Sequence, residues 1–168
     1  MGGLEVRRKP FQDSPTPGAN SVGAIALIRM HSFTNDSKYR ERAQKTLEAF
    51  AGIAPQYGMF AATYGLAATL FANHPPQVVI LGPASDAAAN SLEAAANSFF
   101  RLGKSVMRIF PGTTPASLPL ALRETIPHLP TDKAIALGCS GNTCFPPASN
   151  PEQLEVLLIG KPASATAH

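Results

Sequence analysis

The feature that most constrains how this chain folds is a change of hydrophobic period at Pro75-Pro76. Before it, apolar residues recur at helical spacing. After it comes Gln77-Val78-Val79-Ile80-Leu81-Gly82, a continuous and largely β-branched run bounded by Pro and Gly, which is the signature of a strand buried on both faces. A chain with such a switch divides into a helical part and a part built on a sheet. Beyond the run, Ser85 or Asp86 can cap a helix reaching Leu102, with Leu92, Ala95, Ala96, Phe99 and Phe100 turned inward, and Ser105 to Phe110 reads as a second strand. Strand, crossover helix, strand predicts a parallel pair. A helix over Ser117 to Ile126, a third strand over Lys133 to Leu137 and a last helix from Pro151 to Ile159 complete this part.

The first part begins with a faint apolar alternation over residues 4 to 12. Pro10, Pro15 and Pro17 then hold the backbone extended up to Gly18, and Asn20 or Ser21 is a natural cap for the first helix. Val22, Ile25, Ala26, Met30 and Phe33 mark one face of that helix and Leu27 and Ile28 a second, the pattern of a helix buried between two layers. Asn35 and Asp36 offer caps for a one-sided helix from about 37 to 52, with Tyr39, Ala43, Leu47, Phe50 and Ala51 as its stripe. A third helix, rich in Ala, Gly and Thr, is expected from Pro55 to Asn73. The boundaries are therefore a helical segment over 1–74, an α/β appendage over 75–160 and a disordered tail over 161–168.

Composition narrows the function classes. With 45% hydrophobic and 15% charged residues the chain is too apolar to be disordered, and no apolar run is long enough to span a bilayer. The net charge of +3 is spread out apart from Arg7-Arg8-Lys9, a triplet without interleaved aromatics, so neither nucleic acid nor a membrane is an expected partner. The N-terminal residues have no signal-peptide core. Two cysteines without a secretory signal suggest a reducing compartment, hence an intracellular, cytoplasmic protein with free thiols.

Four pieces of sequence carry a resemblance. They are Asp13 to Ser21 with the helix Val22-Gly23-Ala24-Ile25-Ala26-Leu27-Ile28-Arg29-Met30; Tyr39-Arg40-Glu41-Arg42-Ala43 with Leu47, Ala49 and Phe50; the strand Pro76 to Gly82; and Cys139 and Cys144 followed by Pro146-Pro147 and Asn150-Pro151-Glu152-Gln153-Leu154. In this order they resemble the closing part of the spermatogenesis-associated, thioredoxin-domain-containing proteins. The resemblance implies a long protein with a thioredoxin-like domain followed by a six-hairpin α/α barrel of the glycosidase and epimerase type, of which this chain matches about the last quarter. Thr16 departs from the family's Pro or small residue. The implied fold is mixed: helical hairpins from an incomplete (α/α)6 toroid, then a small α/β unit with a short, mainly parallel sheet. The implied role is carbohydrate-directed catalysis or binding of a sugar-like molecule in the complete protein. The missing barrel and thioredoxin-like domain are then the partners, and the chain alone is not expected to be active.

Asp13 is the candidate catalytic residue, since a loop of this kind in such a barrel faces the cavity, where an acid protonates a glycosidic oxygen or activates water. Ser14, Asn20 and Ser21 are its candidate substrate-binding neighbours. The competing reading makes Asp13 and Ser14 a local turn and Asn20 a helix cap; no second carboxylate lies nearby in sequence, and Asp36 and Glu41 read as surface residues. Cys139 and Cys144 follow the third strand in a tight loop, where a redox pair, two metal ligands or ordinary thiols are all open. A structural zinc needs four ligands, so no metal and no cofactor is expected. The turn Gly82-Pro83-Ala84-Ser85 lacks the glycines or lysine of a phosphate loop. Two classes of function remain: a sugar-directed segment of a larger enzyme, or a non-catalytic interaction or scaffold fragment, with a thiol redox module as a variant.

Overall fold

The computed structural model describes residues 11–113, 118, 120–126, 133–140 and 143–159. The expectations for residues 4 to 10, for Arg7-Arg8-Lys9 and for the tail over 161–168 lie outside them. The described residues form two compact units, one of residues 11–31 and 36–73, the other of residues 32–35 and those described from 74 to 159.

The first unit holds α1 (Ala19–Thr34), α2 (Ser37–Ala51), a 3-10 segment (Ala54–Ala61) and α3 (Ala62–Asn73). Asp36 caps α2 through a bond from the Lys38 amide, as the sequence suggests. The expected single third helix is instead broken in two, because Gly58 takes φ 51° and interrupts the helical path before Ala62. Small residues let the helices approach: Ala24, Leu47 and Ala67 form one cluster, and Ile28, Ala43 and Leu70 the next. A third cluster joins Phe11 and Phe50 to Ala54 and Ala61. The two-layer burial expected of α1 is not what forms. Only Ser21, Ala24 and Ile28 of that helix are buried, while Val22 and Met30 remain exposed.

In the second unit a mixed sheet runs in the order β2-β1-β3-β4, with β1 (Gln77–Leu81), β2 (Ser105–Ile109), β3 (Ile135–Ser140) and the two-residue β4 (Thr143–Cys144). The apolar run of β1 is used on both sides. Val78 and Ile80 pack with Leu92 and Ala96 of α4 (Ala87–Ser98) and Leu154 and Leu158 of α6 (Pro151–Ile159). Val79 packs with Ile109, Leu137 and Leu122, the last from α5 (Leu120–Thr125). β1 and β2 are parallel, with Gln77 opposite Ser105. The expectation of a mainly parallel sheet is corrected here: β3 lies on the other side of β1 and runs antiparallel to it, and β4 antiparallel to β3. Hydrophobic pattern specifies which residues of a strand are buried, not its direction, and the connection from β2 to β3 is long enough for either.

Asp86 caps α4, its carboxylate accepting from the Ala88 and Ala89 amides. The helix ends at Ser98, short of the expected Leu102, and Phe100 is 85% exposed rather than inward. Lys104 closes that end, donating to the carbonyls of Ala96 and Phe99. Arg108 ties the turn after β1 to α4, with Nη1 at 2.7 Å from Glu93 Oε2 and Nε donating to the Gly82 carbonyl at 3.2 Å.

Candidate functional site

In the first unit, the loop from Phe11 to Gly18 is fixed at two points. Phe11 is buried, stacked on Phe50 at 4.9 Å between ring centroids, with Tyr57 and Tyr64 edge-on at 5.3 and 5.5 Å. Two residues on, the Asp13 amide donates to the Phe60 carbonyl at 2.8 Å. Its carboxylate does the rest: Oδ1 accepts from the Gly18 amide at 2.6 Å and Oδ2 from the Thr63 amide at 2.7 Å. Thr63 lies in the first turn of α3, so Asp13 satisfies one of the amides that a helix start leaves without an intrahelical partner, and its charge complements the helix dipole. Gly18 has to be glycine. A Cβ there would sit 2.3 Å from the Phe11 carbonyl oxygen. The Ser14-Pro15 peptide bond is cis, and the Ser14 amide donates to the Thr16 carbonyl at 3.1 Å.

These bonds determine what Asp13 can do. The backbone amides of Thr63 and Gly18 hold its carboxyl below the usual carboxylate value, outweighing the opposing effect of partial desolvation. A general acid must keep its proton near neutral pH; this group is an ionised acceptor. Of its expected companions, Ser14 is exposed, Asn20 is half-buried in the first turn of α1, and Ser21 is buried with no hydrogen-bond partner for its Oγ. All four residues belong to the same unit. Asp36, the next carboxylate along the chain, serves as the α2 cap, and Glu41 is exposed. A shallow hollow of about 300 Å³ also belongs to this unit, lined by Ala51, Ala54, Pro55, Gly58, Ala61, Tyr64 and Gly65. The Tyr64 hydroxyl donates to the Leu47 carbonyl at 3.0 Å, and burial raises its pKa.

Sequence reasoning missed Phe11, Thr63 and Phe60 as partners of the loop. The aromatic before the Asp-Ser-Pro motif was the available signal; Thr63 carries none, since it acts through its place in a helix fifty residues away.

The cysteines require a correction. Cys139 is the fifth residue of β3 rather than part of a loop after it, Cys144 ends β4, and the two stand directly opposite each other in the register. They form a disulfide, with Cα atoms 4.0 Å apart, where free thiols were expected. The spacing follows from the ladder. Phe145 donates its amide to the Gly138 carbonyl, which makes Gly138 and Phe145 a hydrogen-bonded pair and the adjacent Cys139 and Cys144 a non-hydrogen-bonded one, in which side chains lie closest. Among the described residues, no group of three or more His, Cys, Asp or Glu could hold a metal ion. No described helix is long and apolar enough to cross a membrane.

Compared with known proteins, the chain is similar to human spermatogenesis-associated protein 20: it is 28% identical over 161 residues, covering 93% of this chain and 20% of that protein. The resemblance carried by the four motifs thus extends over nearly the whole sequence. The chain spans about a fifth of the length of this curated relative. No protein-family model matches the chain, and no solved structure does.

Proposed function

We propose that this chain acts as a segment of a longer protein like its curated relative, its helical unit forming part of the wall of a larger helical assembly directed at carbohydrate. The observation that carries this reading is the apolar surface of the first unit. Val22, Met30, Ile53, Met59, Phe60 and Leu66 are all exposed, Met59 by 80%. Three helices that leave such side chains uncovered are suited to packing against further helices. Spanning about a fifth of the relative's length is consistent with that, and the barrel implied by the sequence resemblance names the occupant: the other helical hairpins of the same polypeptide.

Within this reading the loop from Asp13 to Ser21 lines the cavity. Asp13 is its anchor, with an ionised carboxylate suited to orienting a sugar hydroxyl or water rather than to protonating a leaving group. Gln12, Ser14 and Thr16 are the exposed polar residues nearest to it in sequence, and Asn20 is half-buried beyond them. The exposed apolar faces equally favour a second reading, a non-catalytic scaffold segment, and sugar binding separates the two. Ligand-observed NMR with mono- and disaccharides on the complete protein should show transfer that Asp13→Asn weakens. Transfer unaffected by that change removes Asp13 from the site, and no transfer from any sugar leaves the scaffold reading. Light scattering tests the wall itself: the isolated chain should self-associate or bind an apolar dye, and a dye-free monomer refutes it.

A further inference from the structure

We propose that the Cys139–Cys144 disulfide is a thiol–disulfide exchange site, a clasp on the sheet edge that an external dithiol opens at Cys144. The proposal stands independently of the carbohydrate reading. Its first support is what the bond encloses. A staple that limits the unfolded chain gains most by closing a long loop, and this one joins residues only five apart, so chain entropy gives it little role in overall stability. The second support is what it holds. β4 is two residues long: beyond the disulfide it is held by the pairing of Thr143 with Ser140 and by the Phe145 amide on the Gly138 carbonyl, before Pro146 and Pro147, which have no N–H to give. Past the prolines the chain is fixed again, by reciprocal 2.8 Å bonds between Ala136 and Ala148 and by Leu154 in the core. Opening the bond therefore loosens Thr143 to Phe145 and leaves the rest of the sheet in place.

The third support is asymmetry. Cys139 is 8% exposed, whereas Cys144 is an exposed residue. A thiolate from solvent reaches the Cys144 sulfur, forms a mixed disulfide there and expels Cys139 as a thiolate, which takes up a proton in its buried position. The second thiol of the dithiol then attacks its own sulfur in the mixed disulfide and releases Cys144. The net exchange moves two electrons and two protons from the dithiol to the protein, leaving the reagent as its disulfide.

The test is titration of the native protein with dithiothreitol redox buffers at neutral pH, scored by thiol alkylation and mass spectrometry, with amide exchange in parallel. We expect reversible reduction without loss of the cooperative melt, and faster exchange at Thr143 to Phe145 but not in β1 or β2. A bond that yields only when the protein unfolds overturns the proposal, as does a reduced pair that fails to re-form under mild oxidant. The single-cysteine proteins Cys139→Ser and Cys144→Ser check the direction of attack: the lone Cys144 should react with an aromatic disulfide reagent about tenfold faster than the lone Cys139. Equal rates, or the reverse order, overturn attack at Cys144.

Discussion

Asp13 shows how one carboxylate can organise a loop that has no regular structure of its own. Its two oxygens take one amide from within the loop, Gly18, and one from the start of α3, Thr63. The stabilisation exists only while the group is ionised. Because its folded-state pKa is depressed, the contribution is fully present above the ordinary carboxylate value and is lost as pH falls through the folded value. Asp13→Asn removes the charge and turns an amide NH2 toward one of the two backbone donors. Its melting temperature should lie below that of the unaltered protein at pH 7, with the gap narrowing as the pH falls below the usual carboxylate range. Thermal melts from pH 7 to pH 3 check this, and a constant gap means the carboxylate charge is not what holds the loop.

At the scale of elements, local signals decided where α2 and α4 begin and long-range ones how strands pair, whereas Asn20 and Ser21, expected as caps of α1, lie inside that helix, which starts at Ala19. Asp36 and Asp86 cap α2 and α4 as the sequence indicates, because a cap needs only the two or three residues after it. The break at Gly58, the exposure of Phe100 and the direction of β3 depend on what packs against them, and no local pattern encodes that. Gly82 is the tightest joint between strand and helix: a Cβ there would lie 2.8 Å from the Ala89 Cβ, and Ala134 is 3.4 Å away. Gly82→Ala therefore forces α4 away from β1 and should cost about 1–3 kcal/mol in urea unfolding. A loss within error of zero would show that α4 shifts freely on the sheet.

Over the whole molecule, each unit closes a core of its own and leaves large apolar side chains at its surface, Phe100 in the sheet unit by 85% and Met59 in the helical unit by 80%. Val78, Val79, Ile80, Leu92 and Leu154 are fully enclosed in the sheet unit and Ala24, Ala43 and Ala67 in the helical one, where Met59 and Phe60 form the exposed apolar surface. Met59→Lys tests whether this surface is adhesive without touching the core: it should change unfolding by no more than about 0.5 kcal/mol while reducing self-association and dye binding. A variant that associates as strongly as the unaltered chain places the adhesive surface elsewhere.

The sequence by itself determined the switch from helices to sheet at Pro75-Pro76, the caps of α2 and α4, the buried β1 run and the resemblance that four short motifs carry. Periodicity, caps and proline act over a few residues, so they can be read directly. Only the tertiary structure decided that Asp13 spends both carboxylate oxygens on amides and that Cys139 meets Cys144. It also decided that β3 runs against β1. Each depends on a partner fixed by packing: Thr63 is fifty residues from Asp13, Cys139 and Cys144 pair only in the register of β3 and β4, and strand direction follows from where the chain re-enters the sheet.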